Sequence, residues 1–210
     1  SASGCGMLTT NAVNITVIPD ATCDAGINAD ICEGDDHTVS GTAASFSSIE
    51  WTTSGDGSFG TPNSLTSIYT PGAGDIIAGS VTLSLTANPL SPCSTPALDD
   101  LVLTIQQPPT ADAGADAAIC EDVTHTLTGL ATNYQSLLWT SSGDGTFDDP
   151  TLIAATYTPG SNDIIAGSVD LTITSIALSP CAVDASDEMT LSIALLPLAY
   201  AGEDDTTCLI

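Results

Sequence analysis

The sequence repeats itself with a stride of 88 residues, and this repeat restricts the possible folds more than any other feature. The segment WTTSGDGSF at 51–59 returns as WTSSGDGTF at 139–147 without a gap in the register. About half of the positions in 23–110 and 111–198 are identical. A chain of this kind is expected to fold as copies of one small unit rather than as a single large globule.

The repeat frame also predicts the domain boundaries. Residues 23–110 and 111–198 are two full repeats. Residues 1–22 match the C-terminal part of a preceding repeat, and residues 199–210 match the N-terminal part of a following one. This register is natural for a piece of a long tandem array, and equally for a subunit whose ends are completed by neighbouring chains.

The apolar residues of each repeat alternate with polar ones, which is the pattern of half-buried β-strands. Val81–Thr86 and Val169–Thr174 show it, and Val13, Ile15 and Val17 continue it in the partial repeat at the start. No segment has a sustained helical period. Only one helical turn per repeat is expected, with Asp75 and Asp163 as its capping residues. The pattern predicts an all-β fold of tandem β-sandwiches of about 88 residues each.

The motifs of the repeat resemble those of PKD-type, immunoglobulin-like repeats. The resemblance rests on the DAGAD segment at 112–116, the W-x-x-x-G-D-G turn and the final cysteine, loop and strand. It covers the whole chain and is closest to the Ig/PKD-like arrays of giant surface proteins from gliding and other Bacteroidetes-type bacteria. One departure is that Thr53-Ser54 and Ser141-Ser142 precede Gly-Asp-Gly, where PKD repeats carry an aromatic-Asp-Phe segment.

The resemblance implies a structural module of an extracellular stalk or filament on a bacterial surface, serving adhesion or gliding. Two alternatives stay open. In the first alternative, the chain is a polymerised filament subunit that neighbours complete through strand pairing. In the second, it is a module that binds a glycan or protein through its loops. The expected partners are neighbouring identical repeats or subunits and an unidentified surface, glycan or protein ligand.

The charge of the chain excludes two classes of partner. It contains 26 acidic residues and neither Lys nor Arg, so its formal net charge is −26. Without cationic side chains it has nothing to neutralise phosphates, which excludes nucleic acid and an anionic membrane surface. Each carboxylate must instead be hydrated, hydrogen-bonded to backbone N–H or hydroxyl groups, or bound to a solvent cation.

Seven cysteines indicate an oxidising compartment. Two pairings fit their spacing. In the first, favoured by the immunoglobulin-like geometry that the resemblance implies, Cys32 bonds Cys93 and Cys120 bonds Cys181, each within one repeat. In the second, the bonds cross the repeats as Cys5–Cys32, Cys93–Cys120 and Cys181–Cys208. The first pattern leaves three inter-unit or unpaired cysteines: Cys5, Cys23 and Cys208.

Few residues suggest a chemical site. Asp56 and Asp144, each between two glycines, are the candidate Ca²⁺ ligands, although Gly-Asp-Gly is also ordinary turn chemistry. No cofactor is expected to be required, and calcium is the possible metal. Trp51 and Trp139 are expected to be core tryptophans. Each repeat has one His and no nucleophile motif, so we expect no enzyme.

Overall fold

A computed structural model describes residues 13–200 and residue 202. The chain divides into two compact units. The first comprises the residues up to Ala29 together with Asp36–Thr104. The second comprises Asp30–Asp35 and the residues from Ile105 onward, so it includes a short segment that the sequence frame places in the first repeat.

Both repeats contain nine strands and one short helix in the same order. The first has β1 (Thr22–Asp24), β2 (Ala29–Cys32), β3 (His37–Ser40), β4 (Thr42–Ala44), β5 (Phe46–Thr53), β6 (Ser58–Phe59), β7 (Thr66–Thr70), α1 (Ala73–Ala78), β8 (Ser80–Pro89) and β9 (Ala97–Gln106). The second has β10 (Thr110–Asp112), β11 (Ala117–Cys120), β12 (His125–Thr126), β13 (Leu130–Thr132), β14 (Tyr134–Ser141), β15 (Thr146–Phe147), β16 (Thr156–Thr158), α2 (Ser161–Ala166), β17 (Ser168–Ala177) and β18 (Ala185–Ala194).

The strands of each repeat form one four-stranded sheet and two smaller ones. The large sheets have the orders β2-β9-β8-β5 and β11-β18-β17-β14. The smaller sheets are β3-β7-β6 with β1-β4, and β12-β16-β15 with β10-β13. The edge strand β11 runs parallel to β18, while β17 is antiparallel to both of its neighbours. The protein therefore has the all-β sandwich architecture that the alternating pattern predicts.

The core of each repeat lies between the large sheet and the smaller ones. In the second repeat, Val169, Leu171 and Ile173 of β17 pack with Trp139 of β14 and Tyr157 of β16. The first repeat buries the equivalent residues: Val81, Leu83, Leu85, Trp51 and Tyr69. Each such side chain stabilises the fold by roughly 1.5–3 kcal/mol through burial. Both tryptophans are buried, with 2% and 1% of their surfaces exposed.

The strand predicted over Val13, Ile15 and Val17 is absent, which corrects the sequence pattern. These side chains are 83%, 84% and 84% exposed, and the segment has no strand. Their equivalents in β9 are buried because β9 lies between β2 and β8. Among the described residues, no strand pairs with 13–17, so nothing there covers these side chains.

The helices are short. The predicted helical turn is confirmed, but Asp75 and Asp163 are not its N-cap residues. Each is the third residue of a six-residue helix whose N-cap is Gly72 or Gly160, because the helix begins two residues before the Asp. Among the described residues, no helix is both long and apolar enough to cross a membrane.

Candidate functional site

The most distinctive polar group of the first repeat is the carboxylate of Asp75, which is 2% exposed and has no cation to pair with. It accepts four hydrogen bonds. The Tyr69 hydroxyl donates at 2.6 Å. The backbone N–H groups of Asp56, Gly57 and Gly72 donate at 3.2, 3.1 and 3.0 Å. A buried charge requires such donors, since burying it without them is strongly unfavourable.

The second repeat contains the same network around Asp163. The Tyr157 hydroxyl donates at 2.7 Å. The N–H groups of Asp144, Gly145 and Gly160 donate at 3.1, 3.1 and 2.9 Å. Because every donor recurs at the 88-residue stride, the network is a feature of the repeat itself.

Hydrogen bonding decides the protonation state of these two carboxyls. Burial acts to raise the pKa of Asp75 and Asp163, but the tyrosine hydroxyl and the three backbone N–H groups outweigh it, and the net pKa is lowered. Both side chains are therefore charged at neutral pH.

The lowered pKa of Asp75 and Asp163 predicts that the sheets survive mild acid. A carboxyl whose pKa is lower in the folded state stabilises the fold above its unfolded value of 3.8. That contribution is lost only as the pH falls through the still lower folded value. No Lys or Arg ion pair exists to be broken. We expect the far-ultraviolet circular dichroism at about pH 4 to match that at pH 7, and loss of the sheet signal at pH 4 would contradict this.

The candidate calcium ligand Asp56 is engaged by backbone instead. Its carboxylate accepts the N–H of Gly74 at 3.0 Å and the N–H of Asp75 at 3.2 Å. These are the second and third residues of α1, whose N-cap is Gly72, a residue with no side chain. Asp56 thus supplies from another loop the capping oxygen that the N-cap residue lacks.

Asp144 caps α2 in the same way, through the N–H groups of Asn162 and Asp163 at 3.0 and 3.3 Å. Among the described residues, no group of three or more His, Cys, Asp or Glu is arranged to hold a metal ion. Calcium binding at Asp56 and Asp144 stays a prediction.

The close approach of Asp56 explains the glycine at position 72 and gives a test. A Cβ on Gly72 would collide with Oδ1 of Asp56. We expect Gly72→Ala to lower the free energy of unfolding by about 1–3 kcal/mol, measured by guanidinium denaturation. The matched control is Gly60→Ala, where a Cβ has room and the other repeat carries Asp148. Equal effects of the two substitutions would refute the remote cap.

Other carboxylates also accept backbone N–H groups at equivalent places in the two repeats. Asp99 accepts from Ala25 and Asp187 from Ala113, both at 2.8 Å. Asp116 accepts from Thr190 at 2.9 Å, where the first repeat uses Asn28. In the second repeat, the N–H groups of Thr156 and Asp149 lower the pKa of Asp148, and the hydroxyl and N–H of Thr151 lower the pKa of Asp149. At these positions backbone donors take the place of cationic side chains.

The exposed carboxylates still repel one another, so stability should rise with salt. Raising NaCl from about 10 to about 150 mM shortens the screening length from about 30 to about 8 Å. We expect Tm to rise by roughly 5 °C, or ~1 kcal/mol for a domain of this size, measured by calorimetry. Unchanged Tm would contradict the prediction. A larger rise with CaCl₂ than with MgCl₂ at matched ionic strength would indicate a specific calcium site.

The structure contains a disulfide between Cys32 and Cys181, with a Cα–Cα distance of 4.8 Å and a sequence separation of 149 residues. Both cysteines belong to the second compact unit. Cys23, Cys93 and Cys120 carry free thiols. Cys5 and Cys208 lie outside the described residues.

This bond corrects both predicted pairings. The pairing within a repeat fails because β11 runs parallel to β18 and ends beside it, Cys120 opposite Ala194. Cys181 precedes the first residue of β18, a ten-residue strand. The two cysteines are therefore separated by roughly 30 Å of strand at ~3.3 Å per residue, far beyond the ~5.5 Å that a disulfide spans. The pattern crossing repeats also fails, since Cys32 and Cys181 bond each other.

The histidines lie in strands, as the sequence suggests. His37 begins β3 and His125 begins β12, and both are half-buried. Burial lowers the pKa of His37, which favours the neutral imidazole at neutral pH.

Sequence reasoning missed the partnership of Tyr69 with Asp75. Its signal was present, because a Tyr and an Asp six residues apart recur unchanged in both repeats beside a recurring Gly-Asp-Gly. Alternation and spacing describe single strands, whereas this network joins the loop after β5 to the start of α1.

Comparison with solved structures defines the fold class. An I-band fragment of titin matches with a TM-score of 0.54 and 13% identity, covering 85% of this chain and 67% of that one. Sidekick-1 immunoglobulin domains 1–4 match with a TM-score of 0.53 and 14% identity, covering 83% of this chain and 49% of that one. The protocadherin GammaB4 extracellular domain matches with a TM-score of 0.52 and 10% identity, covering 86% of this chain and 35% of that one. These likenesses show an immunoglobulin-like β-sandwich fold.

The chain spans from about two-thirds to about one-third of the length of these similar structures. No protein-family model matches the sequence, and no curated protein matches it.

Proposed function

We propose that this chain is a structural repeat module of an extracellular stalk or filament on a bacterial surface, serving adhesion or gliding. One observation carries the proposal: both repeats build the same core and the same buried carboxylate network from residues 88 positions apart. An architecture repeated in this way favours a spacer, which adds length, over a catalyst with one site.

Two further features support an extracellular setting. The Cys32–Cys181 disulfide persists only where thiols are not kept reduced. A net charge of −26 without any Lys or Arg keeps neighbouring copies apart, and it removes every cleavage site for trypsin-like proteases. Assignment to a Bacteroidetes-type surface protein rests on the resemblance of the motifs to Ig/PKD-like arrays.

Immunogold electron microscopy tests the proposal directly. Antibodies raised against the folded chain are applied to intact cells of the bacterium that makes it. We expect gold particles in lines along thin surface fibres, and a loss of adhesion or gliding when the gene is deleted. Labelling that appears only after the cells are permeabilised would refute the surface assignment.

A second candidate, a filament of separate subunits, is favoured by the exposed segment at 13–17. Val13, Ile15 and Val17 have the alternation of a buried strand, yet all three are more than four-fifths exposed. A neighbouring subunit that paired with this segment would bury them. Non-reducing electrophoresis of native fibres separates the candidates: a ladder that collapses on reduction supports subunits, and one giant band that survives reduction supports a continuous array.

A further inference from the structure

The observed disulfide defines a rule for the whole repeat. The frame of 88 residues places Cys32 over Cys120 and Cys93 over Cys181. The bond therefore joins the first-strand cysteine of one sequence repeat to the loop cysteine of the next, 149 residues later. By the same rule, the partner of Cys120 would be a loop cysteine 149 residues later in an array, and the partner of Cys93 would be a first-strand cysteine 149 residues earlier.

The free Cys93 is held as its bonded equivalent is. The N–H of Cys93 donates to Leu90 at 2.9 Å, and the N–H of Cys181 donates to Leu178 at 3.0 Å. Sγ of Cys93 lies 3.6 Å from the carbonyl oxygen of Ile18. Sγ of Cys181 lies 3.4 Å from the equivalent oxygen of Gln106. The loop of Cys93 therefore has the same backbone hydrogen bond and sulfur contact as the loop of the disulfide-bonded Cys181.

The free Cys120 matches Cys32 just as closely. Each is the last residue of its edge strand, β11 or β2. Each carbonyl accepts an N–H three residues later, from Val123 or Asp35, at 3.1 Å. The next N–H in each copy donates to the end of the neighbouring long strand: Glu121 to Ala194 at 3.0 Å, and Glu33 to Gln106 at 2.8 Å. The thiol of Cys120 is exposed.

We propose that Cys120 and Cys93 are the two halves of a disulfide between successive repeats. Cys120 bonds the loop cysteine of a following repeat of the same kind, and Cys93 bonds the first-strand cysteine of a preceding one. This inference rests on the proposed tandem array and turns it into a covalently stapled one, in which each repeat is bonded to the next.

The bond forms by thiol–disulfide exchange with a low-molecular-weight disulfide such as oxidised glutathione. One cysteine thiolate attacks it and becomes a mixed disulfide, releasing the first glutathione thiol. The second cysteine thiolate attacks the mixed disulfide and releases the second. Two cysteine thiols are oxidised to one disulfide, and one glutathione disulfide is reduced to two thiols.

Cys23 provides the internal contrast. It has no cysteine equivalent in the second repeat, where Ala111 stands in its place. Its partly buried thiol donates to the carbonyl of Leu85 at 3.4 Å, and burial raises its pKa. It lacks the paired surroundings found at Cys93 and Cys120, so it should remain a thiol.

A four-repeat chain tests the proposal. It joins 1–198 directly to a second copy of 23–210, so that a copy of Cys93 follows Cys120 at the distance of the rule. The first Cys93, the second copy's Cys120, Cys5 and the final Cys208 are changed to Ser, so that apart from the Cys32–Cys181 pairs only Cys120 and the copied Cys93 remain as candidates for the two halves. After oxidation with glutathione disulfide, free thiols are alkylated, and the chain is cleaved with pepsin and mapped by mass spectrometry without reduction.

We expect a peptide that links Cys120 to the copied Cys93, with Cys23 alkylated. The matched control, Cys120→Ser, should lose this peptide and keep the one that links Cys32 to Cys181. An alkylated Cys120, or Cys120 bonded elsewhere, would overturn the proposal while Cys32–Cys181 shows that the repeats have folded. The disulfide map is made on purified protein and does not depend on where cells place it. A missing Cys120–Cys93 bond would therefore count against this inference and not against the proposed surface function.

A second arm identifies the source of the partner repeat. Isotopically labelled Cys93→Ser chain is mixed with unlabelled Cys120→Ser chain, with Cys5 and Cys208 replaced by Ser in both. A hybrid Cys120–Cys93 peptide supports the proposal with a second copy as partner. Its absence, together with the bond in the four-repeat chain, supports the proposal with a partner in the same chain. Absence of the bond in both arms refutes it.

Discussion

Replacing Asp75 by Asn is expected to lower the free energy of unfolding of the first repeat by about 1–3 kcal/mol. The substitution preserves shape and removes one acceptor. Oδ2 of Asp75 accepts from Tyr69, Gly57 and Gly72, while Oδ1 accepts from Asp56. An Asn amide can place its oxygen on only one side, so its NH₂ group must face an N–H donor and leave it unsatisfied.

Denaturant unfolding followed by fluorescence of Trp51 measures this effect in the first repeat when Trp139 is replaced by Phe in every variant. The control is Asp100→Asn, which removes one charge from an exposed position of β9 and should change the unfolding free energy by less than about 0.5 kcal/mol. If Asp75→Asn were no more destabilising than Asp100→Asn, the buried network would have no role in stability.

The features predicted correctly are those that depend on neighbouring residues in the sequence or on the comparison of one repeat with the other. Alternation in Val169–Thr174 predicts the buried face of β17, and the short helix around Asp163 is predicted correctly although its N-cap is Gly160. The recurrence of Trp51 at 139 marks equivalent core positions. Each of these requires only neighbouring residues or a comparison of one repeat with the other.

The features that were missed depend on strand direction and on contacts between loops. The cysteine pairing turned on whether the first edge strand carries Cys120 toward or away from the loop of Cys181, and β11 carries it away. The apolar alternation at Val13 is the same as that at Leu101, yet only the latter is buried, because burial needs the flanking strands. The period of the sequence indicates which side chains share a face of a strand, but it does not indicate which other strands lie beside that strand.

The absence of Lys and Arg shapes the fold through the backbone. The two buried carboxylates, Asp75 and Asp163, take three N–H groups and one hydroxyl each. Fixed N–H groups of a turn form a concave anion site. The glycines at 57 and 72 allow the close approach, since a Cβ on either would collide with its surroundings. In an all-acidic chain this arrangement keeps charge inside the fold without a counter-ion.

The tyrosines of the same network make the fold sensitive to alkali. Burial and the hydrogen bond to Asp75 raise the pKa of Tyr69 to about 12. Burial also raises the pKa of Tyr157 to about 12, in its network with Ser141 and Asp163. A group whose pKa is higher in the folded state stabilises the fold fully below its unfolded value, here 10.0. That stability is lost as the pH rises toward 12, and it amounts to ~3 kcal/mol for each tyrosine.

We therefore expect both repeats to lose stability steeply between about pH 10 and about pH 12, in contrast to their tolerance of pH 4. Denaturant midpoints across this range, with near-ultraviolet absorbance to follow tyrosinate, measure the effect. The control is the Tyr69→Phe, Tyr157→Phe double variant. It should be less stable than the parent at pH 8, because each Phe leaves a buried carboxylate short of one donor. Its stability should then fall much less between pH 10 and pH 12, because its buried rings cannot ionise. A parent chain whose midpoint is unchanged up to pH 12 would show that these hydroxyls ionise without disturbing the carboxylate beside them.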